Sequence, residues 1–423
     1  MLVSLFCCNA GAKCTEKLLR ICLITAFYPP YHTGGCGIHV YQLSNLLAAQ
    51  GHQVEVIHCV DSYFTKRLTR QKGHYEKHAN LKVHPIKSEV GRIAPAITYL
   101  TGYPVLTSKK IKEILGKGFD VIHYHNISLL GGPAVLSLGD AIKLFTLHTY
   151  WLICPTHYLW KFNREICHDK ECLKCTIFYG KVPPQLWRYW NLRDKMLKNV
   201  DALITPSAFL KRKHLEEGIK TDLEWISNFV LPPGQNSRMK EKNTMPEVKD
   251  RVPYFLYAGR LEFHKGVQVL IKAYAKKKRK SRLLIAGDGR YSQTLKLQAR
   301  NSPNIVFLGQ ISPAKLSVLY ENSLALIVPS LWHENSSISV LEATSHGIPV
   351  IASGNGGLVE VVDGNKAGII YSDVDELTGA LERIEEGPNL RNRLAANALK
   401  AYEKYYTPEA YLRKYYSLID KFL

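Results

Sequence analysis

Leu324-Ala-Leu-Ile-Val-Pro329 is short, apolar and uncharged, and Ser330-Leu-Trp-His333 connects it to Glu334-Asn-Ser-Ser-Ile-Ser-Val-Leu-Glu342. The apolar run has the composition of a buried parallel strand. The stretch after it reads as a helix. Ser336, Ser337 and Ser339 are capping types, Ile338, Leu341 and Ala343 supply an apolar face, and Gly347 and Pro349 stop the helix before a strand at Val350 to Ser353. A helix that starts at the C-terminal end of a parallel strand is where open α/β sheets bind ligands. The free N–H groups of its first turn favour a phosphate.

Two glutamates beside a phosphate would repel it unless they stood to either side and accepted hydrogen bonds from neutral hydroxyls. On one helix, eight residues would separate them by about 12 Å, too far to share a proton or a metal. Glu334 therefore belongs to the loop and Glu342 to the helix. They bracket a ligand with hydroxyls at both ends and phosphates in the middle, the layout of a nucleotide sugar. A solvated helix carboxylate and a loop charge are the plainer alternative. Upstream, Tyr254 to Gly259 reads as another strand, followed by Arg260 and by Lys265-Gly266 at a helix start. An Arg fork and a Lys point charge on such a loop suit a diphosphate.

Gly259-Arg260-Leu261 with Lys265-Gly266, then Ala286-Gly287-Asp288-Gly289, Glu334 and Glu342, Gly347-Ile-Pro-Val350 and Gly356-Gly357 follow one another over roughly residues 252 to 375. In order and spacing this series resembles the donor half of the retaining glycosyltransferases of family 4, a group that includes glycogen synthases and mannosyltransferases. The resemblance implies the GT-B fold, two Rossmann-like α/β domains facing across a cleft. It also implies transfer of a glycosyl group from a nucleotide-diphosphate sugar to a hydroxyl acceptor with retention at the anomeric carbon. Glu334, His148, Arg260 and Lys265 are the expected catalytic groups. Ser336, Ser337, Ile338, Ser339 and Glu342 are expected to bind the donor. No metal and no cofactor are expected at the reacting centre. A nucleotide-sugar epimerase of the same fold and an inactive nucleotide-sugar-binding subunit are the competing readings, and product analysis separates them.

The first half repeats the βα rhythm. Leu19 to Thr25 is an expected strand, and Gly34-Gly35-Cys36-Gly37 opens a helix from Ile38 to about Gln50 before the strand Gln53 to Cys59. Glycines at a strand-to-helix turn let backbone approach a ligand closely, although a plain tight turn needs them too. The family resemblance places Gly34, Gly35 and Gly37 against the donor phosphate. Two further strands end in histidine, at Val121-Ile-His-Tyr-His125 and Lys143-Leu-Phe-Thr-Leu-His148. Three histidines invite a zinc reading, but no carboxylate at helical spacing supports it. His148 matches the family's sugar-contacting histidine. The family's usual next residue is Asp, whereas this chain has Thr149.

The expected division is an acceptor-side domain over 1–231 with an insertion at 151–184, a linker over 232–253, a donor domain over 254–400, and a helical segment over 401–423 returning to the first domain. The insertion holds Cys154, Cys167, Cys172 and Cys175, which makes a structural zinc a candidate. Only the last pair has knuckle spacing, so ordinary thiols are the alternative. Tyr158, Trp160, Phe162, Trp187 and Trp190 surround it in sequence, as packing or as an acceptor channel.

The 423 residues are 46% hydrophobic, enough for two globular domains, and no apolar run reaches the length of a membrane span. All ten cysteines precede residue 176. The apolar Met1–Ala12 lacks a basic flank, so reduced thiols in the cytoplasm are expected. Cys7 and Cys8 are candidate lipidation sites. Net charge is +20, of which +13 falls in residues 1–250. Without finger spacing, an RNP-like strand or a basic tail, nucleic acid is not an expected partner. The expected acceptor is a glycan, a lipid-linked hydroxyl or a small molecule. Tyr63 to Arg70 and Lys72 to Lys77 suggest peripheral contact with an anionic inner membrane face. The run Lys276 to Lys280 reads as a positively charged helix C-terminus.

Overall fold

The structure is a computed structural model that describes residues 17–65, 75–234 and 252–423. The first sixteen residues, the basic stretch at 66–74 and most of the expected linker lie outside the described residues, and with them Cys7 and Cys8.

Two parallel sheets organise the chain. The first is formed by β1 (Arg20–Thr25), β2 (Gln53–Cys59), β3 (Leu81–Ile86), β4 (Val121–Tyr124) and β5 (Ile142–Thr146), together with two strands that follow the insertion. A small antiparallel hairpin, β6 (Trp160–Lys161) and β7 (Glu165–Ile166), lies in the insertion. After it come β8 (Ala202–Thr205) and β9 (Leu223–Trp225), giving the order β3-β2-β1-β4-β5-β8-β9. The second sheet contains β10 (Tyr254–Ala258), β11 (Arg282–Ala286), β12 (Ile305–Gly309), β13 (Leu326–Val328), β14 (Val350–Ser353) and β15 (Gly368–Tyr371), in the order β12-β11-β10-β13-β14-β15.

These strands have nearly uncharged, fully buried cores because helices cover both faces of each sheet, which removes the need for polar alternation. In both sheets the strand order reverses beside the first strand of the domain, between β1 and β4 and between β10 and β13. The loops leaving that reversal splay apart and open a crevice. They carry Gly34–Gly37 and His125 in one domain, and Arg260–Lys265 and Ser330–Ser337 in the other.

The two crevices face each other. Tyr150 donates its hydroxyl to the His333 carbonyl at 3.2 Å, the Asn335 side-chain amide donates to the His148 carbonyl at 2.8 Å, and Trp332 is buried in the core of the first domain. Glu360 of the second domain accepts from the Ala208 and Phe209 N–H groups at 2.9 and 2.5 Å. It thereby caps the helix Ala208–Glu216 across the domain boundary. The terminal helix Pro408–Ile419 starts on a Thr407 side-chain cap. It buries Tyr411, Leu412, Tyr415 and Ile419 in the first domain against Ile21, Leu43 and Phe229.

Several local expectations shift. The helix expected from Ile38 begins at Gly35, because the glycines themselves adopt its first turn. Ser337 occupies the N-cap position of the helix Ile338–Ser345, but its hydroxyl bonds Ser339 Oγ at 3.0 Å instead of capping. The lysine run after Ala275 does more than end a helix. Lys276, Lys277 and Arg279 pair with Asp375, Glu382 and Glu385 and tie two helices together.

Candidate active site

Glycine chemistry lets the loops meet. Gly266 has φ 73°, and a Cβ there would stand 1.7 Å from the Pro329 carbonyl oxygen. Gly356, at φ 75°, would put one 2.3 Å from the carbonyl oxygen of Glu334. Both positions combine a left-handed backbone with a closeness that only glycine allows. They seat the Lys265 turn and the Glu334 loop side by side, and the Gly357 N–H donates to the Glu334 carbonyl at 2.7 Å.

Glu334 is buried, with 5% of its surface exposed. Its Oε1 accepts from Lys265 Nζ at 2.5 Å, Ser330 Oγ at 2.7 Å and Trp332 Nε1 at 2.9 Å. Burial is the largest single influence and opposes ionisation. Lys265 with the two neutral donors outweighs it and holds the carboxyl below its ordinary range. No hydrogen bond from a described residue reaches Oε2, which leaves that oxygen to accept from a ligand hydroxyl.

Lys265 also lies over the Trp332 ring, 5.1 Å from its centre. Arg260 is exposed, and the Tyr158 hydroxyl of the insertion lies close enough to favour its charge. Tyr158 in turn packs edge-on against Trp332, centroids 5.2 Å apart, and against His264 at 5.1 Å. The insertion thus reaches across the cleft and holds the cationic loop. Burial, followed by the charges of Lys265 and Arg260, lowers His264 to about 3, so it adds no charge.

The helix Ile338–Ser345 points its N-terminus at this cluster, and no side chain caps its first turn. Its leading N–H groups are left for an acceptor. Ser336, Ser337, Ile338 and Ser339 form that turn and are each partly exposed. Across the cleft lies the start of the helix Gly35–Ala49. A Cβ on Gly35 would sit 3.3 Å from Ile338 Cγ1, and one on Gly37 would sit 2.7 Å from His32 Cβ. Two helix N-termini, each with a positive dipole end, therefore converge.

Glu342 lies one helical turn on, in a partly exposed position, and accepts from the Tyr320 hydroxyl at 3.0 Å. Burial pushes its carboxyl up to about 7, and the Tyr320 bond only partly offsets this. Glu342 thus carries a proton below neutrality. A folded-state pKa above the unfolded one makes stability decline as pH rises from the ordinary carboxylate range through about 7.

His148 sits at the end of β5, with Nε2 3.0 Å from His125 Nδ1, and burial lowers it to about 4. It is a neutral imidazole with one nitrogen engaged. His39, His123, His125 and His148 gather in successive ring contacts of 4.1 to 6.1 Å. The four insertion cysteines line one small cavity with Trp160 and Lys161, and all seven cysteines among the described residues are free thiols. Among the described residues, no three His, Cys, Asp or Glu side chains are arranged to hold a metal ion.

The structure therefore brings Arg260, Lys265, Glu334, Gly35 and the first turn Ser336–Ser339 to one cleft, with Glu342 on one flank and His148 on the other. Sequence reasoning missed Ser330, Trp332 and His264, and it left Tyr158 undecided between packing and an acceptor channel. Ser330 and Trp332 lie within four residues of Glu334, and an indole and a hydroxyl beside a buried carboxylate were the available signal. Nothing in the sequence linked Tyr158 to Arg260.

Two Rossmann-like domains with opposed crevices, and cations and carboxylates set around a pair of helix N-termini, define the GT-B class of glycosyltransferase. The chain belongs to the group 1 glycosyltransferases. The model "Glycosyl transferases group 1" matches residues 239–401, and "Glycosyltransferase Family 4" matches residues 33–231. It is 25% identical over 408 residues to an uncharacterized glycosyltransferase of Methanocaldococcus jannaschii, covering 92% of this chain and 94% of that one. To the glycogen synthase of Mycobacterium tuberculosis it is 26% identical over 403 residues, covering 90% and 89%. In fold it is similar to the sucrose-phosphate synthase of Thermosynechococcus elongatus, with a TM-score of 0.70 at 19% identity and coverage of 95% and 99%.

Proposed function

We propose that the protein transfers a hexosyl group from a nucleotide-diphosphate sugar to a hydroxyl acceptor with retention of anomeric configuration. The observation that carries this reading is the buried Glu334 carboxylate, whose Oε1 accepts from Lys265, Ser330 and Trp332 on the loop that leads into the uncapped first turn of Ile338–Ser345. The diphosphate lies on the first turn at Ile338 and Ser339, with Arg260 and Lys265 supplying positive charge. Glu342 accepts from ribose hydroxyls, Glu334 Oε2 accepts from a sugar hydroxyl, and neutral His148 contacts the sugar from the opposite domain. Gly35 and Gly37 keep that approach clear of side chains.

In the reaction the bond from the anomeric carbon to the phosphate oxygen breaks as the acceptor oxygen bonds to the same face. The acceptor's proton passes to the departing phosphate. Arg260 and Lys265 meet a charge that grows in this step, so they act on the transition state more than on binding. Retention is supported by the family resemblance alone. Proton NMR of the product tests it through the anomeric coupling constant. A glycosylated acceptor with the donor's configuration is expected, whereas an inverted linkage, an epimerised donor or no product contradicts the reading.

Because two cations and two helix N-termini neutralise the diphosphate, activity is expected to survive excess EDTA. A strict requirement for added Mg²⁺ or Mn²⁺ in a steady-state assay would show that a metal carries this charge instead.

Glu342 gives a second expectation. If ribose hydroxyls bind its ionised form, nucleoside diphosphate binding releases a proton, and affinity falls by about tenfold per pH unit below about 7. Calorimetry in buffers of different ionisation enthalpy reads this release directly. Glu342→Gln should abolish it and flatten the pH dependence. A pH-independent wild-type affinity between pH 5.5 and 7.5 would remove Glu342 from the ribose.

A further inference from the structure

The apolar side chains left on the surface are not scattered. Of the twenty large hydrophobic side chains that are exposed among the described residues, twelve lie in residues 90–106 and 173–190 of the first domain. Such a concentration marks an interaction surface, whereas single exposed hydrophobics are ordinary.

The two stretches are neighbours. The Trp187 indole N–H donates to the Tyr99 carbonyl at 3.1 Å. Gly102, at φ 77°, passes so closely under Trp187 that a Cβ there would lie 2.8 Å from its ring. On this base stand Ile93, Tyr103, Val105, Phe178, Tyr189 and Trp190, between 46% and 75% exposed.

Charge identifies the occupant. Residues 88–117 contain five lysines and arginines against two carboxylates, and residues 170–198 contain seven against two. Arg92, Lys109, Lys181 and Lys195 are exposed. Indole and phenol rings mixed with aliphatic groups, and bordered by cations, match the boundary between headgroups and acyl chains of an anionic bilayer. No helix among the described residues is long and apolar enough to cross a membrane, so contact would be made from one side.

We propose that this face of the first domain docks on an anionic lipid bilayer. It differs from the basic stretch at 66–74, which lies outside the described residues. The surface stands on its own geometry, while its use rests on the glycosyl-transfer reading. Trp187 packs on Trp151 at 5.5 Å, and Trp151 lines a cavity with His148. The docked face thereby brings a lipid-linked hydroxyl to the acceptor side of the site.

The test is co-sedimentation of the full chain, without nucleotide, with phosphatidylcholine vesicles and with vesicles in which phosphatidylglycerol replaces one third of the lipid. Binding to the anionic vesicles alone is expected, weakening as salt rises. A Phe178→Ser/Trp190→Ser variant should bind about tenfold more weakly or worse, with Tm and nucleoside diphosphate affinity unchanged. No retention on anionic vesicles, or equal retention of the variant, overturns the proposal. So does a concentration-dependent dimer in sedimentation velocity that the variant loses while vesicles are never bound, because the face would then belong to a second copy. Vesicle binding without sugar transfer upholds the surface and defeats only the catalytic reading.

Discussion

Lys265→Ala is expected to lower kcat/KM by about a hundredfold or more, and to lower stability as well. The first effect is the loss of a charge-assisted contact with the diphosphate, worth about 1.5 to 3 kcal/mol in binding alone and more as charge grows on the leaving group. The second effect is specific to this structure. Lys265 is the cation on the buried Glu334 carboxylate, and its removal leaves that charge with only Ser330 and Trp332 as donors. Removing one partner of a buried ion pair costs about 3 kcal/mol or more. Part of that loss should return when pH is lowered, because a carboxyl stripped of its cation moves up toward protonation. Thermal unfolding of wild type and variant at several pH values, beside steady-state rates, checks both. A variant with wild-type kcat/KM would remove Lys265 from the donor site, and wild-type stability would remove the ion pair. Arg260→Ala, which leaves no such buried charge, should lose about ten- to a hundredfold in rate with little change in Tm.

Glu334→Gln should fail differently. The amide oxygen still accepts from Ser330 and Trp332, so the loop keeps its shape, while Lys265 loses the anion that competes with a phosphate for it. Affinity for a nucleoside diphosphate should therefore stay level or rise. Turnover should fall by about a hundredfold, because a carboxylate beside the anomeric carbon matters most as positive charge develops there. Glu342→Gln should weaken nucleoside diphosphate and nucleotide sugar alike, since both contain ribose. Equal loss of diphosphate affinity in the two variants would show that the glutamates do not report on different ends of one ligand.

Much of the fold was legible because parallel strands buried on both faces are continuous apolar runs, and glycines and prolines punctuate them. Leu324 to Pro329 and Val350 to Ser353 show this, and the loop position of Glu334 followed from the length of a helical turn. The short helices Ile93–Thr101 and Ser108–Leu115 do not stand out in the sequence, because Arg92 at the start of the first is no capping type and the second, although Thr107 precedes it and its apolar face is marked, runs only eight residues. The Lys265–Glu334 pair was hidden for another reason. A sequence shows two charges suited to one ligand, but only the closeness allowed by Gly266 and Gly356 shows that each is the other's partner. Lys265 is thus a structural partner of Glu334 as well as a candidate for the diphosphate. Contacts across the cleft, such as Tyr158 to Trp332 and Glu360 to the Ala208 N–H, join residues that no local periodicity relates.

The central claim is that a nucleoside diphosphate lies on the first turn of Ile338–Ser345, between Glu342 and the cations Arg260 and Lys265. Calorimetric titration of UDP, GDP and ADP into wild type and into Arg260→Ala tests it most directly. The account predicts that at least one of the three binds the wild type, and that the same nucleotide binds Arg260→Ala about ten- to a hundredfold more weakly. Binding of equal strength to both proteins, or of none of the three to the wild type, would contradict it.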